Sequence, residues 1–350
     1  MPLANAAIYD TNSVIGVVDN LLIAQTFLAD MFFPAVVNAD TEFVSIDVDI
    51  GKRRMSPFVS PLVEGRLVES RRYQTNTFAP PYIKDKRAPD LRKPVRRMMG
   101  ERIGGELTPQ QRRDMNMQLE LADQIDMINR RLEWMAAQIL QGGTVTVSGD
   151  GFPTTLIDYG RDSSLTIAKS AGTKWTTANI SGGAAVPTDD LDTWSQSILK
   201  ASGAVVTDVV FTNSPFTQFK KDPVLNQARW YPGEGGAGND IQLGTTTDRG
   251  AVYKGRWGNY RLWLYNDWYV DSSNVQQPML PDGTVLLAGP MMQGTRAFAA
   301  IKDPAIGYIP ASYAAKTWIQ QDPAQEFLML QSSPLLIPGR PNASLAATVL

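Results

Sequence analysis

The feature that most constrains the fold of this chain is one long helix, predicted over residues 108–141. Thr108 suits the N-cap, Pro109 stands at the first helical position, and Gln111 completes a Thr-x-x-Gln capping box. Apolar residues recur at alternating steps of four and three, at Leu121, Ile125, Ile128, Leu132, Met135 and Ile139. Such a helix is roughly 50 Å long. Because its apolar seam covers under three heptads and strands follow, the pattern favours a globular domain over a coiled coil.

The composition excludes most catalytic chemistry, since the 350 residues include no histidine and no cysteine. Histidine is the usual general base and metal ligand, and cysteine is the usual strong nucleophile and soft-metal ligand. Hydrophobic residues make up 43% and charged residues 19% of the chain, as in an ordinary globular protein of two or three domains. We therefore expect a structural protein, not an enzyme, with no cofactor and no metal.

The charge is distributed asymmetrically along the chain. Residues 1–51 contain seven acidic and no basic groups, whereas residues 52–97 contain 13 basic and 4 acidic groups. Complementary blocks of this kind suggest contact between copies in an assembly, or pairing within one chain. The alternative is a solvated charged loop. Nucleic-acid binding is a weaker interpretation, because the net charge of the whole chain is −2.

The order of predicted elements is an N-terminal helix, an extended basic loop, the long helix, and then mixed α+β structure. The first helix is predicted over residues 13–31, and residues 51–97 are extended, with strand-like pieces around 58–59 and 66–68. A second helix is predicted over 188–201, and short helical pieces over 214–229. Strands are predicted over residues 42–50, 144–147, 152–159, 165–168, 205–211, 251–256, 260–266, 284–288, 295–301 and within 325–349.

Three local patterns have a functional interpretation that their context weakens. Glycines within 233–238 match G-x-G-x-x-G but lack the preceding strand and following helix of a dinucleotide site, which favours a loop over 231–250. Residues 47–51 hint at a calcium loop but lack its further ligands. The three aspartates of 189–192 suit the first turn of a helix better than a metal cluster. No transmembrane run or basic signal region occurs, so we expect a soluble, intracellular chain without membrane contact.

Several runs together resemble one family, the lambda-type (E class) major capsid proteins of tailed bacteriophages. The runs are Val59–Gly65, Phe78–Lys84, Gly172–Trp175 with Pro187–Leu191, Tyr253–Gly258, Leu280–Leu286 and Lys316–Leu336. Each run is weak alone, but their order and spacing from about residue 40 to 350 make the resemblance fairly specific.

The resemblance implies the Hong Kong 97-type capsid fold, an α+β architecture. Residues 1–40 would form an N-terminal arm and 41–97 an extended E-loop hairpin. Residues 98–150 and 297–350 would form a peripheral domain around the spine helix 108–141, to whose sheet the C-terminal strands would mainly return. Residues 151–296 would form the axial domain.

The resemblance also implies a function, that of a major capsid protein which self-assembles into hexamers and pentamers of an icosahedral head enclosing double-stranded DNA. The alternative is the shell of a cellular nanocompartment of the same fold that encloses an enzyme. Expected partners are other copies, a decoration protein, and scaffold and portal proteins during assembly. The expected location is the virion, with assembly in the host cytoplasm.

No catalytic residue is expected, so the candidate site is an intersubunit contact. We expect the basic side chains of the E-loop region to contact a neighbouring subunit; these are Arg66, Arg71, Arg72, Lys84, Lys86 and Arg87. The alternative is that these charges are solvated and that backbone and apolar groups make the contact.

Overall fold

The computed structural model describes residues 26–49, 55–65, 67, 73–90, 108–149, 151–225, 246–248, 250–271, 273–322 and 325–350. Its α-helices are α1 Phe27–Phe32, α2 Pro109–Gly142, α3 Thr177–Ser181, α4 Pro187–Ser202 and α5 Asn213–Phe219. No described helix is both long and apolar enough to cross a membrane. The strands of the N-terminal half are β1 Ala35–Asn38, β2 Val44–Asp49, β3 Tyr73–Phe78, β4 Ile83–Arg87, β5 Thr144–Gly149, β6 Phe152–Asp158 and β7 Thr166–Ala168.

Twelve further strands lie in the described part of the second half of the chain. They are β8 Asp208–Phe211, β9 Thr246–Asp248, β10 Ala251–Trp257, β11 Tyr260–Tyr265, β12 Trp268–Val270, β13 Gln276–Pro278, β14 Thr284–Ala288, β15 Thr295–Phe298, β16 Ala314–Gln320, β17 Gln325–Ser332, β18 Pro334–Ile337 and β19 Leu345–Thr348.

The described strands form one large mixed sheet and several small ones. The large sheet has the order β7-β19-β14-β8-β11-β10-β9. Two three-stranded sheets have the orders β1-β15-β18 and β16-β17-β4, and three antiparallel pairs join β2 to β3, β5 to β6 and β12 to β13. The chain's last strand, β19, therefore lies in the large sheet, between β7 and β14.

Helix α2 forms as its sequence predicts. The Thr108 side chain accepts a hydrogen bond from the Gln111 backbone, and the Gln111 side chain accepts one from the Thr108 backbone, which completes the capping box. Gly143 adopts the left-handed conformation with φ 72° and ends the helix. The apolar seam faces the core: its four C-terminal members are buried, while Leu121 and Ile125 are partly buried against them.

Most predicted strands and the helix predicted over 188–201 are confirmed within a few residues. The extended piece around Phe58 is not a strand, because residues 55–60 pair with no other segment the structure describes. Pro57 and Pro61 each remove a backbone donor there. The strands β1, β9, β12, β13 and β16 were not predicted, and β3 and β4 lie in a segment that was predicted only as extended. Residues 13–25 and nearly all of the 231–250 loop, including its glycines, lie outside the described residues.

The core joins the C-terminal half of α2 to α1 and to the large sheet. Within this core, an aromatic cluster packs α4 onto the sheet: the rings of Trp175 and Trp194 stack with centroids 5.7 Å apart, and those of Phe211 and Phe219 lie 5.1 Å apart. Aromatic pairs of this geometry contribute beyond the area they bury. The core thus fixes the body from which the β2–β3 hairpin extends.

Candidate intersubunit interface

The β2–β3 hairpin carries the most exposed apolar segment among the described residues. Its strands pair in antiparallel register from Val44 opposite Phe78 to Asp49 opposite Tyr73. Between them, Phe58, Leu62 and Leu67 are 103%, 95% and 99% exposed. A segment that exposes several large apolar side chains to water is typical of a surface that another molecule covers.

The structure divides the six predicted contact residues into two groups. Arg66, Arg71 and Arg72 lie outside the described residues. The other three lie on β4, which pairs with β17 in a separate sheet and is therefore not part of the β2–β3 hairpin. Lys84 and Lys86 are exposed, whereas Arg87 is half-buried.

Arg87 is held by carboxylates of its own chain. Its guanidinium Nη1 lies 3.0 Å from Glu120 Oε2 and 2.5 Å from Asp123 Oδ2, both on α2. Burial lowers the pKa of Arg87, but the hydrogen bonds and charges of Asp123 and Glu120 outweigh it, so the net pKa lies above its ordinary value. Arg87 therefore fastens β4 to the long helix, a role that its position in a basic run did not indicate.

Lys86 lies over aromatic rings of the same sheet. Its Nζ is 4.0 Å from the ring centroid of Phe327 and 5.3 Å from that of Trp318, and these two rings stack 5.4 Å apart. Cation–π contacts at exposed sites contribute about 0.5–1 kcal/mol. Lys86 therefore has partners in its own chain while its exposed charge remains available to a neighbour.

A bidentate ion pair joins the N-terminal half of α2 to β17. Arg113 Nε and Nη2 donate to Glu326 Oε2 and Oε1 at 2.7 and 2.5 Å. The hydrogen bonds from Arg113 hold the pKa of Glu326 below its ordinary value. Because Arg113 and Glu326 are 213 residues apart, the sequence carried no local signal for this pair.

A buried carboxylate, Glu133, joins three elements in the core. Its Oε1 accepts from Leu28 N and its Oε2 from Ala29 N, at 2.8 and 2.9 Å, so α2 caps the N-terminus of α1. The Tyr265 hydroxyl of β11 also donates to Oε1. Burial raises the pKa of Glu133 to about 7, although these hydrogen bonds lower it.

Sequence reasoning missed Glu133, and its only sequence signal is an acidic residue inside an apolar seam, between Leu132 and Met135. No group of three or more acidic side chains in the described part of the chain is arranged to hold a metal ion. Asp189 and Asp190 lie in the first turn of α4, as predicted, whereas Asp192 lies beyond that turn. Asp190 pairs with Lys169.

Comparison with known proteins identifies the family. A family model for phage major capsid protein E matches residues 10–349. The chain is 28% identical to the major capsid protein of Escherichia phage lambda, over 89% of this chain and 90% of the relative. It is also 28% identical to the major capsid protein of Enterobacteria phage P21, over 96% and 97%.

Among solved structures, a protein described as a prophage capsid protein of E. coli CFT073 superposes with a TM-score of 0.70 at 19% identity, covering 93% of this chain and 94% of that one. The expected α+β capsid fold of the Hong Kong 97 type is thereby confirmed. With the family model spanning nearly every residue, the chain belongs to the phage major capsid protein E family, whose members are structural capsid proteins and not enzymes.

Proposed function

We propose that copies of this chain assemble into hexamers and pentamers that close an icosahedral tailed-phage head around double-stranded DNA. The observation that carries the proposal is the family match over residues 10–349. The exposed apolar hairpin segment supports it, because a monomer rarely leaves such a surface uncovered. The curated relatives are major capsid and head proteins of phages and a prophage, which favours a DNA-filled head over a nanocompartment with enzyme cargo.

We assign the parts of the chain to roles in the shell. Residues 1–40 form the arm and 41–97 the E-loop region. Residues 98–150 and 297–350 form the peripheral domain, and 151–296 form the axial domain around each capsomer centre. The pairing of β19 with β14 and β7 joins the last strand to the axial segment by backbone hydrogen bonds, which supports a link between the two domains.

For the contact itself, we propose that basic side chains of one subunit face acidic groups of the next. The cations are Arg66, Arg71, Arg72, Lys84 and Lys86. The complementary surface is the acidic block of residues 1–51 without Asp30 and Glu42, which pair with Arg296 and Lys302 of their own chain. Arg87 is left out of this set because carboxylates of its own chain hold it. Exposed ion pairs contribute little to affinity. We therefore assign them the alignment of one subunit against the next, and we assign the binding energy to the apolar residues of the hairpin.

A decoration protein on the shell, with scaffold and portal proteins during assembly in the host cytoplasm, completes the proposed set of partners. The testing experiment is electron microscopy, with image reconstruction, of the chain co-expressed with its genomic neighbours. Closed shells of six- and five-fold clusters with DNA inside are the expected result. A small discrete oligomer that never closes would overturn the proposal, and protein cargo in closed shells would shift it to the nanocompartment.

A further inference from the structure

Both legs of the β2–β3 hairpin meet the body of the subunit at one short segment. This segment, residues 300–303, lies between β15 and β16, and we call it the anchor segment. The Nζ of Lys302 pairs with Glu42, just before β2. The backbone N–H of Lys302 donates to the Tyr82 hydroxyl at 3.1 Å, between β3 and β4. One residue of the anchor segment therefore holds the chain both where it enters the hairpin and where it leaves.

Asp303 fastens the anchor segment to the sheet β16-β17-β4. It is 6% exposed, and its Oδ1 lies 3.0 Å from Lys316 Nζ on β16. Its Oδ2 accepts from Gln331 Nε2 on β17 at 2.7 Å, and Gln331 Oε1 accepts from the Tyr82 hydroxyl at 2.7 Å. These bonds close a ring, because the chain runs directly from Asp303 back to Lys302. Breaking such a ring is costly, since buried polar groups would lose their partners.

The second leg of the hairpin, which leaves β3, is held by this ring and by apolar packing. The ring of Phe78, at the end of β3, lies 5.4 Å from that of Tyr159 between their centroids. Tyr159 is itself buried, and its hydroxyl donates to the Leu336 carbonyl at 2.6 Å. The second leg is therefore attached to groups that are fixed in the body.

The first leg, which enters β2, is held more weakly by its side chains. The Ala300 N–H donates to the Thr41 carbonyl at 3.2 Å, and beyond that point the leg depends on the pair of Glu42 and Lys302. The side chains of this pair are 56% and 52% exposed. An exposed ion pair contributes little and is screened by salt, whereas the buried ring around Asp303 is not. The two legs thus differ in how firmly they are held.

We infer that the anchor segment sets the angle at which the hairpin leaves the body. The ring of Tyr82, Gln331 and Asp303 is the pivot, and the pair of Glu42 and Lys302 is a latch that salt loosens. Lys302 and Asp303 are then positioning residues, which act on the intersubunit contact through the hairpin and do not take part in it.

The consequence for assembly rests on the proposed shell function. Subunits of six-fold and five-fold clusters meet at different angles, so a hairpin that reaches its neighbour in both must be able to turn. A weak latch on one leg and a firm pivot on the other permit this turn while the base of the hairpin stays folded.

Distances between two spin labels on unassembled subunits test the inference. The natural chain contains no cysteine, so Phe58→Cys in the hairpin segment and Leu119→Cys on α2 provide two specific labelling sites, both of them exposed. Double electron–electron resonance then gives the distribution of distances from hairpin to body. It is recorded at low salt and at about 1 M salt, where the Debye length is about 3 Å.

The labelled chain should show a narrow distribution at low salt and a broader one at high salt. Lys302→Gln removes the latch but keeps the backbone bond to Tyr82, so its distribution should be broad at both salt concentrations. Exchanging the two charges, with Glu42→Lys and Lys302→Glu, should restore the narrow distribution at low salt. Tyr82→Phe removes the hydroxyl from the pivot and should broaden the distribution at both salt concentrations.

The matched control is Lys200→Gln, which removes an exposed lysine of α4 far along the chain from the hairpin and should change nothing. A distribution in Lys302→Gln that equals that of the labelled chain at low salt would overturn the latch, and an unchanged distribution in Tyr82→Phe would overturn the pivot. Either failure leaves the shell function intact, because shells of the natural chain are observed separately. If the natural chain forms no shells, the proposed function fails while the measured distances still stand.

Discussion

The Tyr265 hydroxyl donates a 2.8 Å hydrogen bond to Glu133 Oε1 in the centre of the core, across 132 residues of sequence. The same carboxylate caps α1, so one side chain of α2 holds both α1 and a strand of the large sheet. The neighbouring charges are Asp267, whose field raises the pKa of Glu133 further, and Asp30 of α1, which pairs with Arg296.

The stability of the subunit should fall as pH rises from about 4.5 to about 7. Folded Glu133 keeps its proton up to about pH 7, whereas in the unfolded chain the carboxyl group releases it near its ordinary pKa of 4.5. In this window unfolding releases a proton, so rising pH favours the unfolded state, by on the order of 3 kcal/mol in all. Urea unfolding of unassembled subunits at several pH values measures this, with Glu133→Gln as the non-titrating reference. The prediction would be wrong if the free energy of unfolding changed with pH in the same way in the natural protein and in Glu133→Gln.

Replacing Arg87 should weaken the subunit itself and not only its assembly. Arg87→Ala leaves Glu120 and Asp123 without their shared cation, which should lower the free energy of unfolding by about 1–2 kcal/mol. Lys84→Ala is the matched control on the same strand, and its effect should stay within about 0.5 kcal/mol. Chemical denaturation of monomers distinguishes the two variants, and equal stabilities would show that the Arg87 cluster contributes nothing.

Gly294 should tolerate no side chain. A Cβ there would meet the carbonyl oxygen of Phe32 and lie 2.5 Å from the ring of Phe33, at the end of α1. Gly294→Ala should therefore cost about 2 kcal/mol or more, seen as a lower thermal midpoint. Gly172→Ala, whose Cβ meets nothing within 4 Å, should leave the midpoint unchanged. A wild-type midpoint for Gly294→Ala would show that α1 shifts without cost.

Reversing two charges in the basic block should block assembly. Arg71→Glu with Arg72→Glu places repulsive charges at the proposed contact, while the isolated subunit should retain its circular dichroism spectrum. Arg71→Lys with Arg72→Lys keeps the charge and should form shells, as judged by sedimentation and electron microscopy. Normal shells from the double Glu variant would mean that solvated charges, and not contacts, occupy these positions.

Local elements followed from the sequence because their signals lie within a few residues. The capping box at Thr108 and the left-handed glycine at 143 determine where α2 begins and ends. The roles of individual basic side chains could not be predicted from the sequence. Lys84, Lys86 and Arg87 are near neighbours in one basic run, yet only Arg87 meets two carboxylates of α2, because side chains alternate between the two faces of β4.

By itself, the sequence determined the order of elements, the absence of histidine and cysteine chemistry, the asymmetry of charge, and a family resemblance that the comparisons confirmed. Only the tertiary structure decided which charged side chains form ion pairs within the subunit. It also decided that Glu133 is buried against α1 and β11 and that β19 joins the large sheet. The physical reason is range: helix and turn signals act over a few residues, whereas burial and pairing depend on segments that meet only when the whole chain has folded.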